Sequence, residues 1–403
     1  MRVVFALIAI IAIIAAATLI PGEPTVSTPS ICLICGDRGV ADALLNLTLF
    51  APFGAVLAFV RVRPWRIVLA GFALSALVEL FQLYIPGRDP SFGDFVFNAA
   101  GAALGATVPF LVARWRQVRP TQAGAWAAGW AMVACLVITG SAILLHPSLP
   151  QLTYYGQWTP EFGNSEQYLG RVTSARIGDL RVRNIAIRRS DELRARLLAG
   201  DVLRITVIAG PRPQWNSPVF NIYDDRQHEV LSVMAQGPDL LIRYRMKASR
   251  LRLDQPSFLL RDALVNVGAA APWSLDVRLI DGGICARTQS ANGCPLGLTL
   301  ARGWSVLLHT TFPRGVERLL DLLWMAVLFL PAGTYIEKPR TALSAGLVCV
   351  AGLMAANALV RLLPIGLVEV AAALTGLAAG GLIRWRTSLQ QRREQHPSFP
   401  PAD

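Results

Sequence analysis

Six polar side chains in the largely apolar N-terminal part of the sequence are of types that could do chemistry. They are Asn46, Glu79, Gln82, Arg88, Asp94 and Asn98. Glu79 and Gln82 are three residues apart, and Asp94 and Asn98 are four apart, so each pair shares one face of a helix, and Ser75 lies on the face of the first pair. Arg88 lies in the short loop between the two pairs. The six side chains are therefore expected to meet at one depth near the outer surface of a membrane.

Ionisable groups near a bilayer are costly and often mark a functional site. Two carboxylates, a guanidinium and amides could bind a headgroup, move protons or hold a polar substrate. In the alternative interpretation, Arg88 neutralises Glu79 or Asp94, and the amides only join helices. Both interpretations are open at this point.

Eight apolar stretches are long enough to cross a hydrocarbon core of about 30 Å, which takes about 20 helical residues. They are Val3–Ile20, Val40–Val60, Ile67–Ile85, Phe95–Val112, Trp126–Leu145, Leu319–Tyr335, Ala342–Val360 and Ile365–Ile383. Clusters of arginine follow the second, fourth and eighth stretches, which places these ends and both termini in the cytoplasm. The first stretch is expected to be a retained helix; a cleaved signal peptide is the alternative.

Residues 146–318 interrupt this series and differ in kind. Short segments alternate between apolar and polar residues and are bounded by Gly, Pro, Asn or Asp, which predicts strands and turns. The predicted strands are Val202–Ile208, Leu240–Tyr244, Leu251–Leu253 and Trp273–Ile280, and Asp191–Ala199 is a predicted helix. The fold class is therefore a polytopic α-helical membrane protein with an inserted all-β sandwich on the periplasmic side.

The net charge of +12 does not indicate nucleic-acid binding. The basic residues are almost all arginines and lie between apolar stretches, as membrane topology predicts. Hydrophobic residues make up 53% of the chain and charged residues 16%, and the mean hydropathy is +0.45. A membrane protein, rather than a soluble nucleic-acid-binding protein, fits this distribution.

The six cysteines divide by location. Cys135 and Cys349 lie in apolar stretches, where a buried thiol is expected. Cys285 and Cys294 are candidates for a disulfide, whereas Cys32 and Cys35 could form a tight disulfide or a redox pair. No metal site or cofactor is expected, because the four histidines are scattered. Calcium ligation by Asn221, Asp224, Asp225 and Asp281 is the alternative to their prediction as turn residues.

The segment Ala41–Val108 resembles the VanZ-like family of bacterial membrane proteins. The matching pieces are NLTLFAPFG (Asn46–Gly54) and SALVELFQLYIPGRDPSFGDFVFNAAGAALG (Ser75–Gly105), with the elements E-x-x-Q, P-x-R, G-D and N-x-x-G-x-x-x-G in order. The family is named for a glycopeptide (teicoplanin) resistance protein. The resemblance implies a multi-helix domain in which these polar residues cluster.

The β region resembles the concanavalin A-like (laminin-G-like) jelly rolls, on the phrase Phe220–Arg245. Four domains are expected: an N-terminal membrane domain of five helices (1–145, with the VanZ-like core at 41–108), a periplasmic sandwich (146–318), a membrane domain of three helices (319–383) and a cytoplasmic tail (384–403). Glu369, Gly376 and Gly380 repeat the spacing of Asp94, Gly101 and Gly105. The last two stretches could therefore be a degenerate copy of the third and fourth, or the spacing could be chance.

Together these features predict a bacterial inner-membrane protein that binds or handles an envelope component, a glycan or a lipid headgroup, at the periplasmic face. The resemblance implies a link to glycopeptide resistance. The expected partners are membrane lipids and an envelope glycan or peptidoglycan-related ligand, without nucleic acid; the oligomeric state is left open. Two alternatives are an intramembrane acid–base enzyme acting on a lipid-linked substrate, and a scaffold or sensor without chemistry.

Overall fold

The chain contains ten α-helices and twelve β-strands within the part that the computed structural model describes, residues 2–21, 32–88, 91–162, 165–308 and 312–395. It divides into two compact units. The first unit comprises Met1–Trp115, His146–Leu296 and Ser305–Thr311. The second unit comprises Arg116–Leu145, Gly297–Trp304 and Phe312–Asp403.

The helices of the first unit follow the apolar stretches closely. They are α1 (Arg2–Thr18), α2 (Gly39–Phe59), α3 (Pro64–Gln82), α4 (Phe92–Ala106) and α5 (Val108–Arg116). Proline at the first position of α3 suits a helix start, because that position has no intrahelical partner for an N–H. Ile14 of α1, Phe50 and Phe53 of α2, Ile67 of α3 and Ala102 of α4 form a common buried core.

Two six-stranded antiparallel sheets make up the β domain. The strands are β1 (Tyr154–Trp158), β2 (Arg171–Ile177), β3 (Leu180–Arg181), β4 (Ala186–Ile187), β5 (Leu203–Ile208), β6 (Ser217–Asp224), β7 (Glu229–Gln236), β8 (Asp239–Tyr244), β9 (Phe258–Leu260), β10 (Pro272–Ile280), β11 (Gly283–Arg287) and β12 (Asn292–Gly297). One sheet has the order β4-β1-β6-β7-β8-β9 and the other the order β12-β11-β10-β5-β2-β3. A short helix, α7 (Ser190–Ala199), lies between β4 and β5.

The core of this domain is formed by apolar residues that alternate with polar residues along the strands. In β5, Leu203, Ile205 and Val207 are buried, whereas the residues between them are not. Trp273 and Tyr244 are among the largest fully buried side chains. The inserted β domain predicted from this alternation is therefore confirmed as a pair of antiparallel sheets. The more specific laminin-G-like assignment remains a prediction.

One predicted strand is wrong. Leu251–Leu253 does not pair with a sheet; it leaves a 3-10 helix, η1 (Lys247–Leu251), through Arg252, whose φ of 53° is left-handed. Three residues are too few for alternation to distinguish a strand from a turn of this kind.

The second unit contains the helices α6 (Pro120–Leu144), α8 (Arg314–Gly333), α9 (Pro339–Val360) and α10 (Leu367–Gln395). A 3-10 helix, η2 (Leu300–Val306), belongs to the second unit up to Trp304 and to the first unit from Ser305. Across the described part of both units, six helical segments are long and apolar enough to cross a membrane: Gly39–Phe59, Pro64–Gln82, Phe92–Arg116, Thr121–Leu144, Pro339–Val360 and Leu367–Leu389. The other two predicted stretches differ. Helix α1 is apolar but shorter, and α8 begins with charged residues such as Glu317 and Asp321.

Candidate polar site of the first unit

Glycines set the distance between α2 and α4. A methyl group on Gly54 would overlap the carbonyl of Ala102, and one on Gly105 would overlap the carbonyl of Ala51. A methyl group on Gly101 would meet the carbonyl of Leu47 at 2.5 Å. The two helices therefore approach backbone to backbone, which is how small residues pack helices in membranes. We call Gly54, Gly101 and Gly105 the glycine frame.

This frame brings two carboxyl groups together. Glu79 near the end of α3 accepts a hydrogen bond from the backbone N–H of Ser91 at 3.0 Å, and Asp94 in the first turn of α4 accepts one from the Asn46 amide at 2.6 Å. The two carboxyls lie close enough to interact electrostatically. Glu79 is 4% exposed, and no donor among the described residues reaches its Oε1. One buried carboxylate oxygen is therefore available to a donor from outside the described chain.

The other two amides of the cluster, Asn98 and Gln82, also join helices. Asn98 donates to the Ser75 hydroxyl at 2.8 Å, and its own Oδ1 is buried without a donor in the described part of the chain. Gln82 donates to the carbonyl of Thr18 at the end of α1 at 3.0 Å. Asn98 therefore joins α4 to α3, and Gln82 joins α3 to α1.

Arg88 lies apart from the carboxylates. Its guanidinium donates to the carbonyls of Ile20 at 2.9 Å and of Ala17 at 3.2 Å. Within the described ranges it forms no ion pair with Glu79 or Asp94. Arg88 therefore caps the C-terminal end of α1, where a cation also complements the helix dipole. Partial burial lowers its pKa from the ordinary value, but an arginine stays protonated in proteins.

Within the first unit, the β domain contacts the helices at the end that carries Glu79 and Asp94. The carbonyl of Arg252 accepts hydrogen bonds from the amides of Val40 and Ala41, at the start of α2. Arg38 lies 3.2 Å from Asp254 of the β domain and 3.6 Å from Asp42 of α2. Glu79, at the end of α3, and Asp94, at the start of α4, are therefore at the end of the bundle that carries the β domain.

Residues 4–113 match the family model VanZ/LLP1. This region contains α1 to α4 and all six polar residues, so the match supports the VanZ-like resemblance of the membrane part. It ends before the β domain and the second unit. No curated protein and no solved structure matches the chain significantly.

The helices of the second unit repeat the packing of the VanZ-like region. Phe50-Ala51-Pro52-Phe53-Gly54 in α2 has a counterpart in Phe329-Leu330-Pro331-Ala332-Gly333 in α8. Methyl groups on Gly333, Gly376 and Gly380 would overlap the carbonyls of Leu377, Ala326 and Leu330, in the same register as the glycine frame. The structure therefore supports the predicted repeat and extends it to α8.

Buried positions match in the third helix of each unit. Those of α3 are Ile67, Gly71, Ser75, Val78, Glu79 and Gln82. All except Glu79 have a buried counterpart at the same spacing in α9: Ala345, Cys349, Leu353, Ala356 and Val360. In this register Glu79 corresponds to Asn357. Asn46 corresponds to Met325, Asp94 to Glu369 and Asn98 to Ala373. The second unit keeps the helix packing and loses most of the polar cluster.

The carboxylates that remain in the second unit are occupied by its own chain. Glu369 accepts hydrogen bonds from the Thr299 hydroxyl at 2.7 Å and from the Gly366 amide at 2.8 Å. Asp321, the counterpart of Asp42, accepts from the Trp304 indole at 2.8 Å and lies 3.2 Å from the Arg302 guanidinium. Both of these carboxylates are thus occupied by groups of the second unit's own chain: Glu369 by a hydroxyl and a backbone amide, and Asp321 by an indole N–H and a guanidinium.

Two residues around Glu79, Ser91 and Thr18, were missed by the sequence reasoning, and the contact of a third, Ser75, was not predicted. Ser91 donates its backbone amide to Glu79 and caps α4 with its side chain, Ser75 receives Asn98, and Thr18 receives Gln82. A serine three residues before Asp94 carries an N-cap signal. Ser75 was predicted on the helical face of Glu79 and Gln82, but its hydrogen bond with Asn98 was not. The Thr18 contact uses a backbone carbonyl and has no sequence signal.

The other candidate residues of the chain lie in the β domain or near α2. Disulfides join Cys32 to Cys35 and Cys285 to Cys294. Asp224 is fully buried and accepts from the His228 amide at 2.9 Å and from Arg245 at 2.6 Å. Burial raises the pKa of Asp224, but these donors outweigh it and hold that pKa below its ordinary value. Asp224 therefore organises a turn, and the described residues contain no cluster suited to a metal ion.

Proposed function

We propose that the first unit binds a hydrogen-bond-donating group of a cell-envelope component, such as sugar hydroxyls or a headgroup amine, at Glu79 and Asp94. The observation that carries this proposal is the buried Glu79 carboxylate, one oxygen of which receives no donor from the described chain. A buried carboxylate oxygen without a donor is costly, so a donor supplied by a ligand would stabilise it.

The second unit supports the chemistry of this ligand. Glu369, its counterpart of Asp94, accepts a hydrogen bond from the Thr299 hydroxyl in the segment ahead of α8. In the first unit, Asp94 receives the amide of Asn46 and Glu79 receives a backbone amide. A ligand that donates hydrogen bonds to Asp94 would therefore replace the Thr299 hydroxyl of the second unit.

The membrane orientation is part of the same proposal. Arg61, Arg63 and Arg66 lie at the end of the first unit opposite to Glu79, which would place them in the cytoplasm by the positive-inside rule. Glu79 and the β domain would then face the periplasm, in the inner membrane of a bacterium, with both termini cytoplasmic. Envelope lipids and glycans are the partners available on that side.

The test uses purified full-length protein in detergent and native mass spectrometry of the lipids it retains. Phosphatidylethanolamine carries N–H donors that phosphatidylcholine lacks, and a glucosyl diacylglycerol carries hydroxyls that triacylglycerol lacks. We expect retention of at least one donor lipid over its matched partner. A hydrogen bond to a charged group contributes about 1.5–3 kcal/mol, so Glu79→Gln and Asp94→Asn should each weaken retention about tenfold to hundredfold.

The second unit supplies matched controls. Glu369→Gln changes the counterpart of Asp94 and should leave retention unchanged. Asn46→Met and Asn98→Ala introduce the residues that this helix packing already accepts at Met325 and Ala373, so they should fold normally; Asn46→Met should weaken retention. Equal retention of donor and non-donor lipids by the unmodified protein would contradict the proposal. Chemical conversion of a retained lipid, lost in Glu79→Gln, would instead indicate an acid–base enzyme.

The link to glycopeptide resistance is tested separately in cells. Expression of the unmodified protein should raise the glycopeptide concentration that inhibits growth, and Glu79→Gln at equal abundance should not. Equal protection by both proteins would assign the phenotype to another part of the chain, such as the β domain.

A further inference from the structure

Four arginines form a row across the outer face of one sheet of the β domain. Arg181 of β3 pairs with Arg176 of β2, and Arg176 pairs with Arg204 of β5. Arg204 pairs with Asp276 of β10, which pairs with Arg287 of β11. Directly paired residues point to the same face of a sheet. We call these five residues the arginine row.

The row carries a large excess of positive charge. Arg204 and Asp276 neutralise each other through two hydrogen bonds of 2.6 Å. Arg176, Arg181 and Arg287 are exposed, and none of them forms an ion pair within the described residues. Because neighbouring strands are about 4.8 Å apart, the five positions extend over about 19 Å.

Fold stability does not explain this arrangement. Like charges directly opposite each other destabilise a sheet, and Arg181, Arg176 and Arg204 occupy three successive positions across it. A neutral residue could replace any of these three arginines without loss of core packing, because their side chains point away from the buried face. A ligand that neutralises them would offset this repulsion.

The residues beside the row indicate the class of ligand. A second row on the same face lies two residues along the strands from the arginine row and consists of Ser174, Thr206, Ser274 and Gln289. Gln289 donates a hydrogen bond to the Ser274 hydroxyl at 3.3 Å. Hydroxyl and amide groups hydrogen-bond to sugars. These positions offer neither a large apolar side chain to enter lipid nor an aromatic ring to stack on a base.

We infer that the arginine row binds a linear anionic glycan, whose carboxylate groups pair with Arg176, Arg181 and Arg287 while Ser174, Thr206 and Ser274 contact its hydroxyls. Guanidinium groups suit this task, because they bind carboxylates through two parallel hydrogen bonds. This surface is separate from Glu79 and Asp94, so the inference does not depend on the function proposed for them.

The experiment measures binding of polygalacturonate to the full-length protein in nanodiscs of zwitterionic lipid. Its methyl ester, which has the same backbone without the charges, is the control ligand. The unmodified protein should bind the acid form and not the ester, and binding should weaken as salt is raised. An exposed guanidinium–carboxylate pair contributes a factor of roughly 2 to 5. The triple variant Arg176→Gln, Arg181→Gln, Arg287→Gln should therefore bind about tenfold or more weakly.

A second triple variant controls for net charge. Arg188→Gln, Arg226→Gln and Arg250→Gln remove the same charge from exposed positions outside the row and should leave polygalacturonate binding unchanged. The row variant should have an equal or higher thermal midpoint, because it removes repulsion, which separates a binding defect from misfolding. The inference would be overturned if both triple variants lost the same amount of polygalacturonate binding, or if the acid and the ester bound equally well. Tighter binding to anionic vesicles or single-stranded DNA than to the glycan would also overturn it. Retention of donor lipids by the row variant should match the unmodified protein, so the two proposals fail independently.

Discussion

Replacing Gly105 with alanine tests whether the glycine frame holds the first unit together. The added methyl would overlap the carbonyl of Ala51 on the facing helix. Because the obstacle is backbone rather than a flexible side chain, α2 and α4 must move apart to accept it. Such overpacking costs about 1–3 kcal/mol. The same substitution raises helix propensity by about 1 kcal/mol, so a control must cancel that gain.

Gly129 and Gly140 of α6 provide this control, since a methyl at either position meets nothing within 4 Å. The free energy of unfolding would be measured by titration with SDS in mixed micelles. Relative to Gly129→Ala, Gly105→Ala should be less stable by about 1–3 kcal/mol. It should also retain less donor lipid, because the movement separates Asn46 from Asp94.

Gly380→Ala makes the corresponding change in the second unit, where the added methyl would overlap the carbonyl of Leu330. It should lower stability by a similar amount and leave lipid retention intact. If Gly105→Ala and Gly129→Ala were equally stable, the close approach of α2 and α4 would be refuted. Loss of retention in Gly380→Ala would refute the assignment of the site to the first unit alone.

Two further predictions concern the β domain. The pKa of Asp224 lies below its ordinary value of 3.8, so its contribution to stability is present above that pH and is lost as the pH falls through the folded-state pKa. Acid unfolding, followed by near-UV circular dichroism, should therefore depend less on pH in Asp224→Asn than in the unmodified protein. An unchanged pH dependence would count against this role of Asp224. Replacing Cys285 and Cys294 with serine should cost about 2–3 kcal/mol, because their disulfide closes a short loop; a thermal midpoint of the double variant equal to that of the oxidised protein would contradict it.

The sequence predicted the elements more completely than it predicted their contacts. Runs of apolar residues located the membrane-capable helices, and alternation located β5, β8 and β10 to within one residue at either end. The sequence could not show the hydrogen-bond partners of Gln82 and Arg88, because the partners are backbone carbonyls at the end of α1. A carbonyl exists at every residue, so its use as an acceptor leaves no trace in residue type.

The pairing of Arg88 with a carboxylate, one of the two interpretations that the sequence left open, illustrates the same point. Sequence proximity placed Arg88 between Glu79 and Asp94, and charge favoured a pair. In the folded chain Arg88 turns instead to the end of α1, whose free carbonyls need donors. Two neighbouring ionisable groups in a sequence therefore indicate a polar region without fixing which groups meet.

The comparison of the two units explains why the function is placed in the first. Glycines at 54, 101 and 105 and at 333, 376 and 380 are required wherever helices approach this closely, whatever the protein does. Buried polar groups in a membrane are costly, so a unit that has no use for them is stabilised by losing them. Ser75, Asn98 and Gln82 correspond to Leu353, Ala373 and Val360, which pack in the second unit without needing partners. Their presence in the first unit, beside a carboxylate oxygen that no described donor reaches, is the cost that a bound ligand would offset.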